Sequence, residues 1–300
     1  MSRVVVTGGA GRLGRSVVTA LADAGHEVTS FDQGRAEQLP ARQVAVDLLD
    51  QRATLEAFAE ARPDAVVHLA AIAIPGSVPD PDMFRINTQL VWSVLQASLE
   101  SGARKMLLAS SPTVMGYGSP SGWTPAYLPL DEEHPTAPWN GYGASKVAME
   151  QIVQMAVRQH GARMRFGAFR PCFVIAPEEW EGVATQMGHT LEERIADPSL
   201  SAVALFNYVD ARDAGEFVAA WIRGADDVPN GSTFFVGAPD ALYDGDTADG
   251  VRAHLPSAAH AADQLTGTQS MFSSDRAEQL LGWRAQRLWR DTLVRTGASA

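Results

Sequence analysis

The stretch "RVVVTGGAGRLG", residues 3–14, decides how the rest of the chain is read. Its opening run, "RVVVT" (3–7), is apolar and short, which suits a buried strand. Glycines follow at Gly8, Gly11 and Gly14. In a strand–turn–helix setting the first allows the tight turn and the second lets backbone approach a pyrophosphate. The third lets helix and strand pack closely. The helix that follows is expected over 11–25, ending at Gly25. It would turn free N–H groups and the positive end of its dipole toward phosphates. Arg12 and Leu13 lie inside the same loop. A glycine triplet alone would fit an ordinary turn; in this context it reads as a phosphate cradle.

Outward from this stretch, apolar runs alternate with helical patterns. Strands are expected at 26–32, 42–48, 64–70, 104–110 and 162–170. Helices are expected over roughly 51–61, within 82–101 and from about 143 to 160. Such alternation means βαβ units around a parallel sheet, and the near-continuous apolar strands fit a sheet covered on both faces. The fold class is therefore α/β, a Rossmann-type doubly wound parallel sheet with a smaller C-terminal lobe. The sheet domain is placed at 1–170. A mainly substrate-binding lobe is placed at 171–300, with some segments returning to the sheet domain. Within the lobe, helices are expected near 185–196, 211–223 and 274–281, and short strands near 203–206 and 232–236. Residues 116–141 are rich in Gly, Pro and aromatics, lack periodicity, and read as an ordered functional loop.

Composition narrows the class. The 300 residues are 46% hydrophobic and 20% charged, as expected for a globular chain with a sizeable core. The net charge is −11 and no Lys/Arg-rich block occurs, which argues against nucleic-acid binding. The single cysteine, Cys172, makes no intrachain disulfide and reads as a buried structural thiol. The histidines are scattered, so no metal site is expected. No run approaches the ~18–20 apolar residues of a membrane span, and the N-terminus lacks the pattern of a signal peptide. A cytoplasmic protein is expected.

Asp32 ends the second strand, where an acid would hydrogen-bond the adenosine ribose. Its charge opposes a 2′-phosphate, which favours NAD over NADP. Arg12 and Arg35 stand near enough to offer the opposite preference. Farther along, "GYGASKVAME" (141–150) places Tyr142 four residues before Lys146, on one helix face. Taken alone, the pair could be accidental.

With these residues placed, the chain resembles the extended branch of the short-chain dehydrogenase/reductase superfamily, which includes NAD-dependent sugar epimerases and dehydratases. The resemblance rests on ordered stretches: "TGGAGRLG" with Asp32, "VDL" (46–48), "HLAA" (68–71), "ASSPTVMG" (109–116), "YGASK" (142–146), "RP" (170–171) and "NYVDARD" (207–213). It implies that Asp47 and Leu48 contact adenine and that Ala70, Ala71 and Pro171 line the cofactor. It implies catalytic roles for Ser111, Tyr142 and Lys146, with Asn87 supporting them from the long helix. Thr113, Trp123, Trp139, Ser111 and Tyr142 are the candidate substrate contacts, the tryptophans by stacking on a sugar ring. Asp210 and Asp213 sit at a helix start and read as structural caps. The helices at 82–101 and 143–160 match those of a family dimer interface, so a homodimer is expected. Ala148, Ile152, Met155 and Gln159 lie along one face of the second.

The resemblance gives the Tyr–Lys pair a mechanism. A phenol with pKa ≈ 10 is a poor base unless lowered, and an ammonium nearby would lower it. Tyr142 would take a proton from a substrate hydroxyl while hydride passes to nicotinamide, and Ser111 would steady the same oxygen. Sugar dehydratases of the family carry an Asp-Glu pair where Pro112 and Thr113 stand, so dehydration is disfavoured. Met115 replaces a common tyrosine. The expected function is an NAD-dependent oxidoreductase acting on a secondary alcohol of a sugar-like substrate. An NAD-retaining sugar epimerase is the alternative and a non-catalytic NAD sensor a minor one. Few cations are available to hold a substrate diphosphate: Arg194, Arg212 and Arg276 are the candidates.

Overall fold

The computed structural model describes residues 1–297. The elements run β1 (Arg3–Thr7), α1 (Arg12–Asp23), β2 (Glu27–Asp32), β3 (Arg42–Ala45), α2 (Gln51–Ala61), β4 (Ala65–His68), α3 (Asp80–Glu100) and β5 (Lys105–Ala109). They continue with α4 (Gly141–His160), β6 (Arg165–Pro171), β7 (Val174–Ile175), α5 (Leu191–Ala196), α6 (Ser199–Ala202), β8 (Val209–Asp210) and α7 (Ala211–Gly224). Last come β9 (Thr233–Val236), α8 (Thr247–His254), α9 (Asp275–Leu281) and α10 (Trp289–Gly297). Seven strands form one sheet in the order β3-β2-β1-β4-β5-β6-β9, every neighbouring pair parallel. This is the expected doubly wound sheet.

Side chains alternate across each strand, so each strand feeds two cores. Val4, Val6, Val67 and Leu107 face one layer, with Val17 and Leu21 of α1 and Phe217 of α7. Val5, Val66, Met106 and Leu108 face the other, with Phe58 of α2, Val91 and Val94 of α3, and Met149 and Val153 of α4. Helices on both faces explain why these strands carry no polar alternation. The sheet is not confined to the first 170 residues, because β9 pairs with β6 and α7 packs on α1. The lobe expected over 171–300 extends three residues beyond the described chain.

The starts of α2 and α4 are set by side chains. Asp50 accepts a hydrogen bond from Ala53 N–H at the start of α2, and Asn140 accepts one from Gly143 N–H at the start of α4. The Asn140 cap starts α4 two residues earlier than the sequence reading and puts Tyr142 in its first turn.

Two lobe expectations fail. Residues 203–206 are a turn and not a strand: Leu205 and Phe206 take left-handed φ values of 52° and 54° and drop into the core. The apolar run there marks a turn that buries Leu205 and Phe206 while Val203 stays exposed, and the short strand lies later, at β8. Of the helix expected at 185–196, only 191–196 forms. Thr185 and His189 instead close a turn ahead of the Thr190 cap. The helices α8 and α10 and the β7–β8 pair, unforeseen from sequence, complete the lobe. Among the described residues, no helix is long and apolar enough to cross a membrane.

Candidate active site

A cavity of about 780 Å³ opens at the C-terminal edge of the sheet, where the strand order reverses between β1 and β4. Ligands of such sheets bind in this crevice. Its floor is built from strand ends, and its far wall comes from α5 and the segments around it.

At one end lies the glycine loop. Gly8 has φ +72°, and a Cβ there would lie 2.8 Å from Ala70 N, so the turn after β1 admits no side chain. A Cβ on Gly14 would collide with the carbonyl oxygen of Gly8, which is how closely α1 packs on the loop. Gly11, the first cap of α1, supplies no side-chain partner to the first-turn N–H groups, which leaves them for an anion. Asp32 is fixed at the rim: Oδ2 accepts from Ala10 N–H at 3.1 Å and Oδ1 from Gly34 N–H at 3.2 Å. Asp47, Leu48, Ala70 and Ala71 line the adjoining wall, together with Arg12 and Leu13. Arg12 is ion-paired with buried Glu179. Arg35 is exposed and outside the lining. These residues suit the adenosine and pyrophosphate of a dinucleotide.

At the other end, Ser111, Thr113, Tyr142, Lys146 and Pro171 share the cavity wall. Ser111 follows β5 and caps a short turn, accepting from Thr113 N–H at 3.2 Å and Thr113 O–H at 2.9 Å. Both bonds use the lone pairs of the hydroxyl oxygen, so its proton is directed away from Thr113, toward Tyr142 or a ligand oxygen in its place. Lys146 is buried and donates to the Ala109 carbonyl at 2.8 Å, with Nζ 5.5 Å from the Tyr142 ring centre. Two of its three N–H bonds remain for other partners. One turn farther along α4, Glu150 is gripped by Arg170 through two bonds of 2.8 Å and by Ser110 at 2.6 Å. Burial lowers Lys146 to about 8, while the Glu150 charge raises it.

Tyr142 departs from expectation. Burial pushes its phenol up to about 12, and the hydrogen bond with Ser111 pulls it down. The Lys146 ammonium lies 5.5 Å from the ring centre but is itself buried and turned to the Ala109 carbonyl. Desolvation outweighs the expected lowering.

Other candidate residues lie elsewhere. Asn87 is outside the cavity lining, 1% exposed. It accepts from Ile72 N–H at 2.8 Å, donates to Ile72 carbonyl at 3.1 Å, and donates to Ser145 of α4 at 3.2 Å. It positions the loop after β4 against α4 and reaches no reacting atom. Neither Trp123 nor Trp139 lines the cavity. Their indole N–H groups donate to the Met115 and Tyr117 carbonyls, so both rings brace the 116–141 loop. Arg212 pairs with its own helix cap, Asp210, and Arg276 with Glu132 and Glu133, so neither faces the cavity. Asp213 accepts from Gln286 and Arg287 N–H groups, a bracing role. Of the three cation candidates, only Arg194 lines the cavity. Tyr117, Cys172, Phe173 and Asn207 also line it. Asn207 opens the quoted stretch "NYVDARD"; Tyr117 and Phe173 have no signal in the sequence, because they come from separate loops with no common spacing.

A model of the NAD dependent epimerase/dehydratase family matches residues 4–237. A UDP-glucose 4-epimerase of Azospirillum brasilense is 39% identical over 173 residues, 54% of this chain and 46% of that protein. The human UDP-glucose 4-epimerase is 33% identical over 173 residues, 51% of this chain and 48% of that protein. The chain spans about half the length of the curated relatives it matches. Among solved structures, a UDP-glucose 4-epimerase from Stenotrophomonas maltophila, with bound NAD and a formylated UDP-arabinopyranose, superposes over 100% of both chains. Its TM-score is 0.71 at 17% identity. A short-chain dehydrogenase/reductase superfamily protein from Agrobacterium tumefaciens with bound NAD gives 0.70 at 23% identity, covering 99% of this chain and 96% of that one. At these identities the superpositions speak to fold alone.

Proposed function

The chain belongs to the NAD dependent epimerase/dehydratase family, and from that premise we propose that it is an NAD-dependent oxidoreductase acting on a secondary alcohol of a sugar-like substrate. The observation that carries this reading is the convergence of Ser111, Tyr142 and Lys146 with the Gly8–Gly14 loop on one cavity. The first turn of α1 would hold the pyrophosphate, Asp32 the adenosine ribose, and Lys146 the nicotinamide ribose. NAD, when bound, supplies the hydride acceptor and a positively charged ring.

The protein's own residues manage the proton. Tyr142 takes it from the substrate hydroxyl; the Lys146 charge and, with NAD bound, the positive ring would oppose the effect of burial. Ser111, its lone pairs occupied by Thr113, donates to the same substrate oxygen. Lys146, with Glu150 and Arg170 behind it, keeps charge beside the developing phenolate. Asn87 holds α4 at the correct height through Ser145.

The epimerase reading is favoured by the names of the relatives. Against it stands the lobe, where Arg212 and Arg276 are committed to internal ion pairs and leave few cations for a nucleotide diphosphate. The two readings part on one assay. Steady NADH release with sugars and sugar acids supports the dehydrogenase. Interconversion of UDP-glucose and UDP-galactose without net NADH replaces it with the epimerase. A homodimer across α3 and α4 and a cytoplasmic location complete the proposal.

A further inference from the structure

We propose that Arg194 anchors an anionic group on the substrate, and that the substrate is a sugar acid or sugar monophosphate in preference to a neutral sugar or a nucleotide diphosphate sugar. This rests on the hydride-transfer reading of the cavity. Arg194 stands on α5 and is 1% exposed, yet it forms part of the wall shared with Ser111 and Tyr142. Its guanidinium lies 4.5 Å over the Phe173 ring. Nε and Nη1 are buried with no hydrogen-bond partner. The acid that acts on it, Glu179, is otherwise engaged: one oxygen pairs with Arg12 and the other accepts from Ala176 N–H. Burial accordingly lowers the Arg194 pKa.

A buried guanidinium without hydrogen bonds is strongly unfavourable, and side chains of this kind are normally paired. Its planar fork of donors matches a carboxylate or phosphate through two parallel bonds. The contact with the Phe173 ring holds the guanidinium against the cavity wall. The other cations of the cavity are spoken for, Arg12 by Glu179 and Lys146 by the Ala109 carbonyl and its proposed place beside Tyr142. One cation matches one anionic group. The second phosphate of a diphosphate would meet no such partner.

The test is calorimetric titration of glucose, glucuronate, glucose 1-phosphate and UDP-glucose into the protein, with and without NAD. It is run on wild type, Arg194→Met and Arg194→Lys, with a melting curve for each. Methionine keeps an apolar chain against Phe173 and removes the charge. Glucuronate or glucose 1-phosphate should bind wild type at least about tenfold more tightly than glucose, the scale of a charge-assisted bidentate pair. UDP-glucose should bind less tightly than the better of the two. Arg194→Met should erase the preference, leave NAD affinity within about threefold, and melt no lower than wild type, since it removes an uncompensated buried charge. Arg194→Lys should retain a reduced preference, and it decides the matter if the methionine variant does not fold. The proposal is overturned if the anions bind no better than glucose, if UDP-glucose binds most tightly, or if the preference survives in Arg194→Met. It is also overturned if NAD affinity falls with the substitution, which would assign Arg194 to the cofactor. Binding is read independently of turnover. Failure of wild type to bind NAD at all would instead contradict the hydride-transfer reading.

Discussion

Asp32 is the residue whose charge bears most directly on cofactor choice. Its two oxygens are fixed by Ala10 and Gly34 N–H groups at the cavity rim. The competing arginines are removed from contention, Arg12 by its pair with Glu179 and Arg35 by its place outside the lining. NAD should therefore bind more tightly than NADP. Asp32→Ala should weaken NAD and relieve the repulsion to NADP, narrowing the preference by about tenfold, the scale of one lost hydrogen bond to a charged group. Titrating both cofactors into both proteins checks this, and tighter NADP binding by wild type would reverse the assignment. Single residues were unevenly legible in the sequence. The Tyr142–Lys146 spacing gave one helix face, but its link to Ser111, 31 positions earlier, came only through family resemblance. Trp123 and Trp139 misled because a loop sequence does not show which way a ring points, and here the indoles turn to the carbonyls of Met115 and Tyr117.

Elements carried most of what sequence could foretell. The runs of β1, β4, β5 and β6 were legible because both faces are buried, which leaves a continuous apolar signature, whereas β3 at the sheet edge has no buried residue. Residues 203–206 gave the same apolar signature for another reason, a turn that buries Leu205 and Phe206, and periodicity cannot separate the two in so short a run. The start of α4 depended on the Asn140 cap, a contact whose geometry fixes Tyr142. The contact between the Gly8 turn and α1 is a tight joint of the site. Gly14→Ala would drive a methyl group into the Gly8 carbonyl. The variant should lose about 1–3 kcal/mol of stability, as overpacked cores do. NAD affinity should fall at least about tenfold, because the first turn of α1 shifts away from the pyrophosphate. Calorimetry and melting curves measure both. Unchanged NAD affinity would mean that the loop is not the phosphate cradle.

Across the whole molecule, the sheet domain and the lobe meet over one cavity, and α3 and α4 present an outer face. Phe84 and Trp92 on α3 are 41% and 48% exposed, and Ile152 and Met155 on α4 are half-buried. A two-fold dimer would cover these side chains. Light scattering at micromolar concentration should give twice the chain mass, with Trp92→Glu shifting the protein toward monomer; a monomeric wild type contradicts the dimer. The proposed reaction stands on Tyr142 as the proton acceptor of a hydride transfer. Its most direct test is single-turnover NADH formation by wild type and Tyr142→Phe, with a substrate that wild type oxidises and with NAD binding measured alongside. The phenylalanine ring keeps the packing and removes the acceptor, so NADH formation should fall by at least about 10²-fold while NAD affinity is retained. NADH formation near the wild-type rate in the phenylalanine variant would contradict it.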